Sequence, residues 1–396
     1  MLQLRHLRIF NAVAAEGGVR ASSESLLRAA SAISRTVALL EQAVGLPLFE
    51  RKGRSMLLTP AGRLLQARYT RIAAELSAVL QEAGTPTRHG SLAATAIEVL
   101  FEERRLRTAS LLADLSHMPT VARQLGVSQP AVSAAVARLE DALHQTLFLR
   151  TARGLLPTDR GACWVQRFDR ALAELRYLQD DLAALQGKVQ GVVVVGALPL
   201  ARTRVLPQAI AALRARHSGL RVRSVESPYE QLHADLLRGK IDFIIGALRP
   251  VEGSPVEIEP LFTETLGVLA SADHPLQQRG RLSIAELRDQ AWVLSRPGSP
   301  LRTAVDDYFV RHGEPPPVPA VETGDLAMVR GMLLDGGMVT VLSTHQLHYE
   351  MEAGQVRVLP VDLAGLHRRI GVTTRCGAQL PPSVLALLAE IRAAHL

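Results

Sequence analysis

The sequence predicts a multidomain α/β chain: two tandem winged helix-turn-helix units, each running into a long helix, then a half in which strands alternate with helices. Three observations carry this. A gapless repeat with an offset of 99 residues occupies the first half. The excess of cationic charge is confined to that same half. After Gly187, short β-branched runs alternate with helical spacing.

The length of 396 residues allows two to four domains, at roughly 100–200 residues per domain. Hydrophobic residues make up 47% but aromatics only 4%, so the cores must be built mainly from Leu, Val and Ala. Cys163 and Cys376 cannot make a disulfide framework and fit a reducing compartment. No uncharged apolar run reaches the ~18 residues of a membrane span. The opening MLQLRHLRIF lacks the apolar core and cleavage site of a signal peptide. No membrane partner is expected, and a cytoplasmic location is.

The repeat pairs Ala32-Ile33-Ser34, Val37-Ala38 and Leu40-Glu41 with Ala131-Val132-Ser133, Val136-Ala137 and Leu139-Glu140. The same offset pairs Leu48-Phe49, Arg51, Arg54, Leu57, Thr59 and Gly62 with Leu147-Phe148, Arg150, Arg153, Leu156, Thr158 and Gly161. So many ordered identities mark a duplicated unit.

Within the first copy, Leu4, Leu7, Ile9, Phe10 and Val13 have amphipathic helical spacing, and Gly17-Gly18 makes a turn. Helices at about 21–27 and 31–44 read as a helix-turn-helix. Phe49 to Arg54 is a basic turn between short apolar segments, hence a hairpin or wing. Thr59-Pro60 then opens a long helix, Thr as N-cap and Pro at the first helical position. Its Leu65, Tyr69, Ile72, Leu76 and Val79 form a coiled-coil-like seam, and Trp164, Phe168, Leu172, Leu175 and Leu178 form a similar stripe in the second copy. The two long helices, 60–82 and 159–185, pair either within one chain or each with another chain. Thr85 to Gly90 reads as a loop between the copies.

Residues 1–190 hold 24 Lys+Arg and 17 Asp+Glu, whereas 191–396 hold 21 of each. A basic first half points to a polyanionic partner. Within it, residues 1–90 hold 12 basic and 6 acidic residues and 91–190 hold 12 and 11, so the first copy is the more cationic.

In the neutral half Val192–Val195, Val222–Val225, Ile241–Gly246, Val339–Leu342 and Arg369–Thr373 are strand candidates, with helices at 206–216 and up to Leu237. The alternation argues for βαβ units and a parallel sheet. Nucleotide-binding glycine loops, H-E-x-x-H and C-x-x-C are all missing from the sequence. His345 and His348 stand without further ligands, and Asp306-Asp307 reads as a solvated helix face. An enzyme, a metal site and a cofactor are therefore not expected.

The run from Val121 to Ser133, VARQLGVSQPAVS, followed by Leu139-Glu140 and Leu147-Phe148-Leu149-Arg150, resembles the winged helix-turn-helix of LysR-type transcriptional regulators. Leu40-Glu41, Gly45 to Arg51 and Leu58 to Gly62 of the first copy resemble it too. The chain departs from that family in carrying the unit twice. The resemblance implies that the second helix of each helix-turn-helix enters the major groove of double-stranded DNA. Ser31, Ser34 and Arg35 in copy one, and Gln129, Ser133 and Arg138 in copy two, then become base-edge candidates, with Pro130 part of the motif. Gln pairs with adenine and Arg with guanine. Arg51, Lys52, Arg54, Arg150 and Arg153 become phosphate candidates, which position the protein without reading sequence. Two DNA-contacting units, or one reader and one packing or dimerisation module, both fit.

Leu236 to Asp242 and His274-Pro275-Leu276 extend the resemblance to the family's effector domain, similar to two-lobed periplasmic binding proteins. It implies four parts: a first winged unit at 1–84, a second at 91–187, lobe one at 191–262 plus 366–396, and lobe two at 263–365. A small-molecule effector would sit between the lobes. Ligands of open parallel sheets bind beyond the carboxyl ends of strands, which points to Leu198, Pro199, Leu200, Ser227, Tyr229, Gly246, Ala247, Ser295, Arg296 and Thr323. Arg296 and Arg302 make a carboxylate the candidate class. The expected role is effector-controlled transcriptional regulation in a homo-oligomer, with RNA polymerase a further candidate partner. The competing reading is a metabolite-binding module whose basic repeat serves oligomerisation.

Overall fold

The computed structural model describes residues 2–52, 55–84, 91–250 and 253–394. They divide into two compact units. The first comprises Met1–Gly191 with Leu237–Lys240 and Leu380–Ser383; the second comprises Val192–Leu236, Ile241–Gln379 and Val384–Leu396.

The first unit contains the duplication. Copy one is α1 (Leu4–Glu16), α2 (Val19–Ser25), α3 (Ala30–Val44), the hairpin β1 (Phe49–Lys52) and β2 (Ser55–Leu58), and α4 (Pro60–Glu82). After α5 (Ser91–Leu100), copy two repeats the order as α6 (Glu103–Leu115), α7 (Met118–Leu125), α8 (Gln129–Leu143), β3 (Phe148–Thr151), β4 (Gly154–Pro157) and α9 (Asp159–Leu185). The helix expected at 21–27 starts and ends two residues earlier. The expected loop 85–90 lies outside the described residues. Helix α5 packs on α4 and α8, and its Glu98 lies 3.7 Å from Arg8 and 3.6 Å from Arg28.

The repeated residues hold each copy in shape. Helix α3 buries Ile33, Val37, Leu40 and Val44, and α8 buries Val132, Val136, Leu139 and Leu143, one stripe at helical period. The Glu41 carboxylate accepts from the N–H of Leu48 at 2.8 Å and of Phe49 at 3.3 Å; Glu140 accepts from Leu147 at 2.7 Å and Phe148 at 3.1 Å. Each glutamate thereby fixes where its wing begins. Thr59 and Thr158 cap the long helices, accepting from Gly62 and Gly161 N–H at 3.0 and 2.9 Å. A Cβ on either glycine would lie 2.2 Å from the carbonyl oxygen of Leu48 or Leu147, so only glycine lets the helix approach the strand.

The long helices pair with each other in the same chain. Leu65, Ile72, Leu76 and Val79 of α4 share one buried core with Trp164, Phe168, Leu175 and Leu178 of α9. Of the two pairings the sequence leaves open, the structure shows the intramolecular one.

The second unit is built on β5 (Gly191–Ala197), α10 (Pro199–Thr203), α11 (Val205–Arg216), β6 (Leu220–Val225), α12 (Tyr229–Leu237), β7 (Phe243–Ala247), β8 (Val256–Ser271), β9 (Trp292–Leu294), α13 (Pro300–Arg311), β10 (Pro319–Glu322), α14 (Leu326–Leu334), β11 (Thr340–Ser343), α15 (His348–Glu352), β12 (Val356–Val358), β13 (His367–Arg375) and α16 (Pro382–Ala393). Its main sheet runs β11-β8-β13-β7-β5-β6, with β12 also on β8; β9 and β10 form a parallel pair. Strands β5 and β7 are parallel, as the alternation predicts, but β8 and β13 add antiparallel pairing. Strand β8 is not among the expected strands, because Pro260 interrupts its pattern. The proline is accommodated where the register with β13 shifts between Ile370 and Gly371. Separate apolar cores lie around Val194, Leu232 and Ile244, and around Val268, Trp292 and Phe309.

Candidate nucleic-acid interface and effector site

Helices α3 and α8 present matching faces. From Ser31 to Glu41 and from Pro130 to Glu140, burial agrees position for position: Ile33/Val132, Val37/Val136 and Leu40/Leu139 point inward, and the residues between them stay open. The exposed positions hold Ser31, Ala32, Ser34, Arg35, Ala38 and Leu39 in copy one, and Pro130, Ala131, Ser133, Ala134, Ala137 and Arg138 in copy two. All of the base-edge candidates are thus solvent-facing, Gln129 included. The single cation of each helix differs in register: Arg35 is replaced by Ala134, and Arg138, one turn later, replaces Leu39. The starts differ as well. Ser128 caps α8, accepting from Ala131 N–H at 3.4 Å, whereas Ala29 leaves α3 without a side-chain cap.

The wings are pinned to the first helix of each copy. Met56 N–H donates to Gly17 carbonyl at 3.3 Å and Leu155 N–H to Ser116 carbonyl at 2.9 Å, again an offset of 99. Arg150 on β3 and Arg153 in the turn are exposed, with Arg153 N–H held by Thr151 Oγ1 at 3.1 Å. Arg51 and Lys52 lie on β1; Arg54 lies outside the described residues. Arg104 and Arg105, at the start of α6, share a concavity of about 350 Å³ with Ala131, Ala134 and Arg138. This pair is not among the sequence-predicted candidates, although two adjacent arginines opening a helix are a visible signal.

Ion pairs fix the α4–α9 pair. Arg68 donates to Glu174 at 2.5 Å and Asp181 at 2.6 Å, and Arg71 to Glu174 at 2.8 Å. Arg167 donates to Glu75 at 3.3 Å and Glu82 at 2.6 Å, and Arg170 to Glu75 at 2.7 Å. Rising numbers on α4 meet falling numbers on α9, so the helices are antiparallel. Burial disfavours the Arg68 charge, but the hydrogen bond to Asp181 and the field of Glu174 outweigh it and hold its pKa above the ordinary value.

In the second unit the expected effector loops fall into two groups. Leu198 follows β5, while Gly246 and Ala247 are the last two residues of β7 itself; Leu198 N–H donates to Ile245 carbonyl at 3.0 Å, and a Cβ on Gly246 would come within 2.5 Å of the Leu198 side chain. Ser295 and Thr323 follow β9 and β10, where Thr323 N–H donates to Leu294 carbonyl at 2.9 Å. Pro199 and Arg296 are exposed, but Leu200 is buried and serves the core rather than the loop surface. Ser227 is half-buried beside Tyr229, whose ring carries the Arg249 guanidinium 4.2 Å from its centre. Burial pushes the Tyr229 phenol up. Arg302 is not free for a carboxylate ligand: it pairs with Asp306 at 2.9 Å and Glu322 at 3.1 Å and donates to Ser295 carbonyl at 3.4 Å. Asp306 therefore belongs to this cluster rather than to a solvated face.

A concavity of about 460 Å³ is lined by Ala247, Arg249, Pro300, His367, Arg368 and Arg369, among others. It brings a residue after β7 together with the first residue of α13. Arg249 pairs with Glu230 at 2.8 Å and Arg368 with Glu264, whereas Arg369 is exposed and makes no ion pair among the described residues.

Comparison with known proteins agrees with both halves. The family model described as bacterial regulatory helix-turn-helix protein, lysR family, matches twice, at residues 4–63 and 104–162. The LysR substrate binding domain matches residues 186–395. The chain is 43% identical over 390 residues to the HTH-type transcriptional regulator GalR of Pseudomonas putida, covering 98% of this chain and 96% of that one. It is 29% identical over 263 residues to CbbR of Xanthobacter flavus, covering 65% of this chain and 78% of that one. A full-length OxyR variant from Pseudomonas aeruginosa aligns with a TM-score of 0.58 at 26% identity, over 74% of this chain and 95% of that one. CbnR, a LysR family transcriptional regulator, shares the fold, with a TM-score of 0.55 at 20% identity over 74% of this chain and 99% of that one. The GalR alignment runs across both winged units. No helix among the described residues is long and apolar enough to cross a membrane. The chain belongs to the LysR family of bacterial transcriptional regulators, DNA-binding proteins with an effector-binding domain, and carries the family's helix-turn-helix unit twice.

Proposed function

We propose that both winged units contact DNA, with Ser31, Ser34, Arg35, Gln129, Ser133 and Arg138 at base edges and Arg51, Lys52, Arg54, Arg150 and Arg153 at phosphates. The observation that carries this is the matched exposure of α3 and α8, which keeps the same helix face open in both copies. A degenerate packing module would have no reason to preserve it. Pairing of α4 with α9 inside one chain also weakens the view of the repeat as a device for joining chains. The four-part division at 1–84, 91–187, 191–262 with 366–396, and 263–365 is retained as our reading.

The effector, a small carboxylate, is assigned to the concavity beside Ala247, with Arg369 of its lining as the candidate cation in place of Arg302; Arg296 is exposed on the loop after β9 and is not part of that lining. A regulator of this kind acts in the cytoplasm, as a homo-oligomer that engages RNA polymerase, and not as an enzyme. Effector binding shifts transcription only if it favours one arrangement of the lobes over another.

Fluorescence anisotropy with DNA from upstream of the protein's own coding region, at several salt concentrations, tests the reading. Sequence-dependent binding with a steep negative salt slope is expected, because phosphate contacts release counterions. Binding indifferent to sequence would refute it. A carboxylate panel scored by thermal stabilisation tests the effector class, since ligands of the native state raise stability by mass action. Arg369→Ala should abolish the response.

A further inference from the structure

We infer that one chain alone reads one complete DNA site, and that the site consists of two unlike half-sites in a fixed order. This rests on the reading above, that both α3 and α8 meet DNA, and adds how many chains are needed and what the site looks like.

The apolar seam is used up inside the chain. Leu65, Ile72, Leu76 and Val79 of α4, and Trp164, Phe168 and Leu178 of α9, have no exposed surface left for another chain. The ion pairs obey a two-fold relation. Adding 99 to Arg68, Arg71, Glu75 and Glu82 gives Arg167, Arg170, Glu174 and Asp181. The contacts of Arg68 with Glu174 and Asp181 are thus the same contacts as those of Arg167 with Glu75 and Glu82. A two-fold interface between identical subunits has this property: residue i meets j, and j meets i. Here both sides of such an interface lie on one polypeptide.

The antiparallel pair also places the units. Each winged unit joins its long helix at the N-terminal end, at Thr59 and at Thr158, so the units sit at opposite ends of the pair.

Identical subunits carry identical reading helices and so favour matching half-sites. This chain is free of that constraint, and its two faces have diverged. Copy one offers Ala30, Ser31, Arg35 and Leu39 where copy two offers Gln129, Pro130, Ala134 and Arg138. Ser34/Ser133, Ala32/Ala131 and Ala38/Ala137 are unchanged. An arginine selects guanine and a glutamine adenine, so the half-sites share a core. They differ where Arg35 reaches, where Arg138 reaches one turn later, and where Gln129 begins its helix. The covalent link fixes which half comes first, which gives the bound chain a direction along the promoter.

The test uses the purified full-length chain to select from duplexes with a random core of about 40 base pairs, long enough for half-sites one or two turns apart. The expected consensus has two unlike blocks centred about 10 base pairs, or a multiple of that, apart. Selection is repeated with Arg35→Ala and, separately, Ala134→Arg. Both positions are exposed on their helices, and melting of each variant confirms the fold. Each variant should change base preference in one block, by roughly tenfold at the affected position, and leave the other block unchanged. A palindromic consensus, or a variant that alters both blocks equally, would overturn the inference while leaving both units on DNA, whereas a single block would also remove the reading that both units meet it. Failure to enrich any sequence would remove both.

Discussion

The Arg68 guanidinium of α4 holds the Glu174 carboxylate of α9 at 2.5 Å, and its repeat mate Arg167 holds Glu75, the mate of Glu174, at 3.3 Å. The two contacts are one interaction made twice, but the surroundings differ. Arg68 and Glu174 are 2% and 3% exposed, against 29% and 21% for Arg167 and Glu75. A duplicated interface inherits two-fold chemistry, while a single chain lets the two ends drift apart.

That inequality predicts unequal mutants. Arg68→Met takes the cation from the buried Asp181 and leaves the buried Glu174 to Arg71 alone, and should destabilise the first unit by about 3–5 kcal/mol, the cost of breaking a buried pair by removing one partner. Arg167→Met leaves Glu75 and Glu82 partly solvated, with Glu75 still paired to Arg170, and should cost about 0–1 kcal/mol. Urea denaturation of the full chain measures both. Equal effects would show that burial does not govern the pair.

The two capped glycines make a second pair of matched tests. Gly62→Ala and Gly161→Ala each drive a methyl to 2.2 Å from a backbone carbonyl oxygen, which cannot move without moving the wing. Each should cost at least about 1–3 kcal/mol, as overpacking does. Gly18→Ala, with open space around it, is the control and should leave the melting temperature close to that of the parent.

The second wing can be tested through salt. Arg150 is exposed on β3 and lies opposite Leu155 in the hairpin. Arg150→Ala should weaken DNA binding about equally across sequences and lower the salt slope by about one. A change confined to one sequence would make Arg150 a base reader instead.

Much of this architecture is legible in the sequence because duplication prints the same constraint twice. Glu41/Glu140, Thr59/Thr158 and Gly62/Gly161 stand out at one offset, and each makes the same hydrogen bond or close approach in both copies. The seam on α4 announces a partner but not which one, since apolar spacing is the same for a helix of the same chain or another. The answer lies in the charges: Arg68, Arg71, Glu75 and Glu82 have mates of the same sign at the offset, and only antiparallel pairing joins them to opposite charges. The effector half is harder to read. Asp306 stands four residues after Arg302, a spacing that invites a helical ion pair, but Glu322 reaches Arg302 only through the parallel β9–β10 pair. Leu200 looks like a loop residue until the fold buries it.

The last prediction concerns pH. Glu264 on β8 is fully buried and faces Arg368 of β13 directly across the antiparallel register. Burial pushes its carboxyl above the ordinary range, and Arg368 with the Ser343 hydroxyl only partly restores it. An acid raised in the folded state releases its proton more readily when unfolded. Its share of stability is therefore present below the ordinary carboxylate pKa of about 4 and is lost as pH rises through the folded value. Glu264→Gln cannot ionise and should lack this slope. Thermal melts of both proteins between about pH 4 and neutrality should show the parent losing ground to the variant as pH rises. A difference that stays constant over that window would mean that the folded and unfolded chains release this proton alike, with Arg368 and Ser343 offsetting the whole cost of burial.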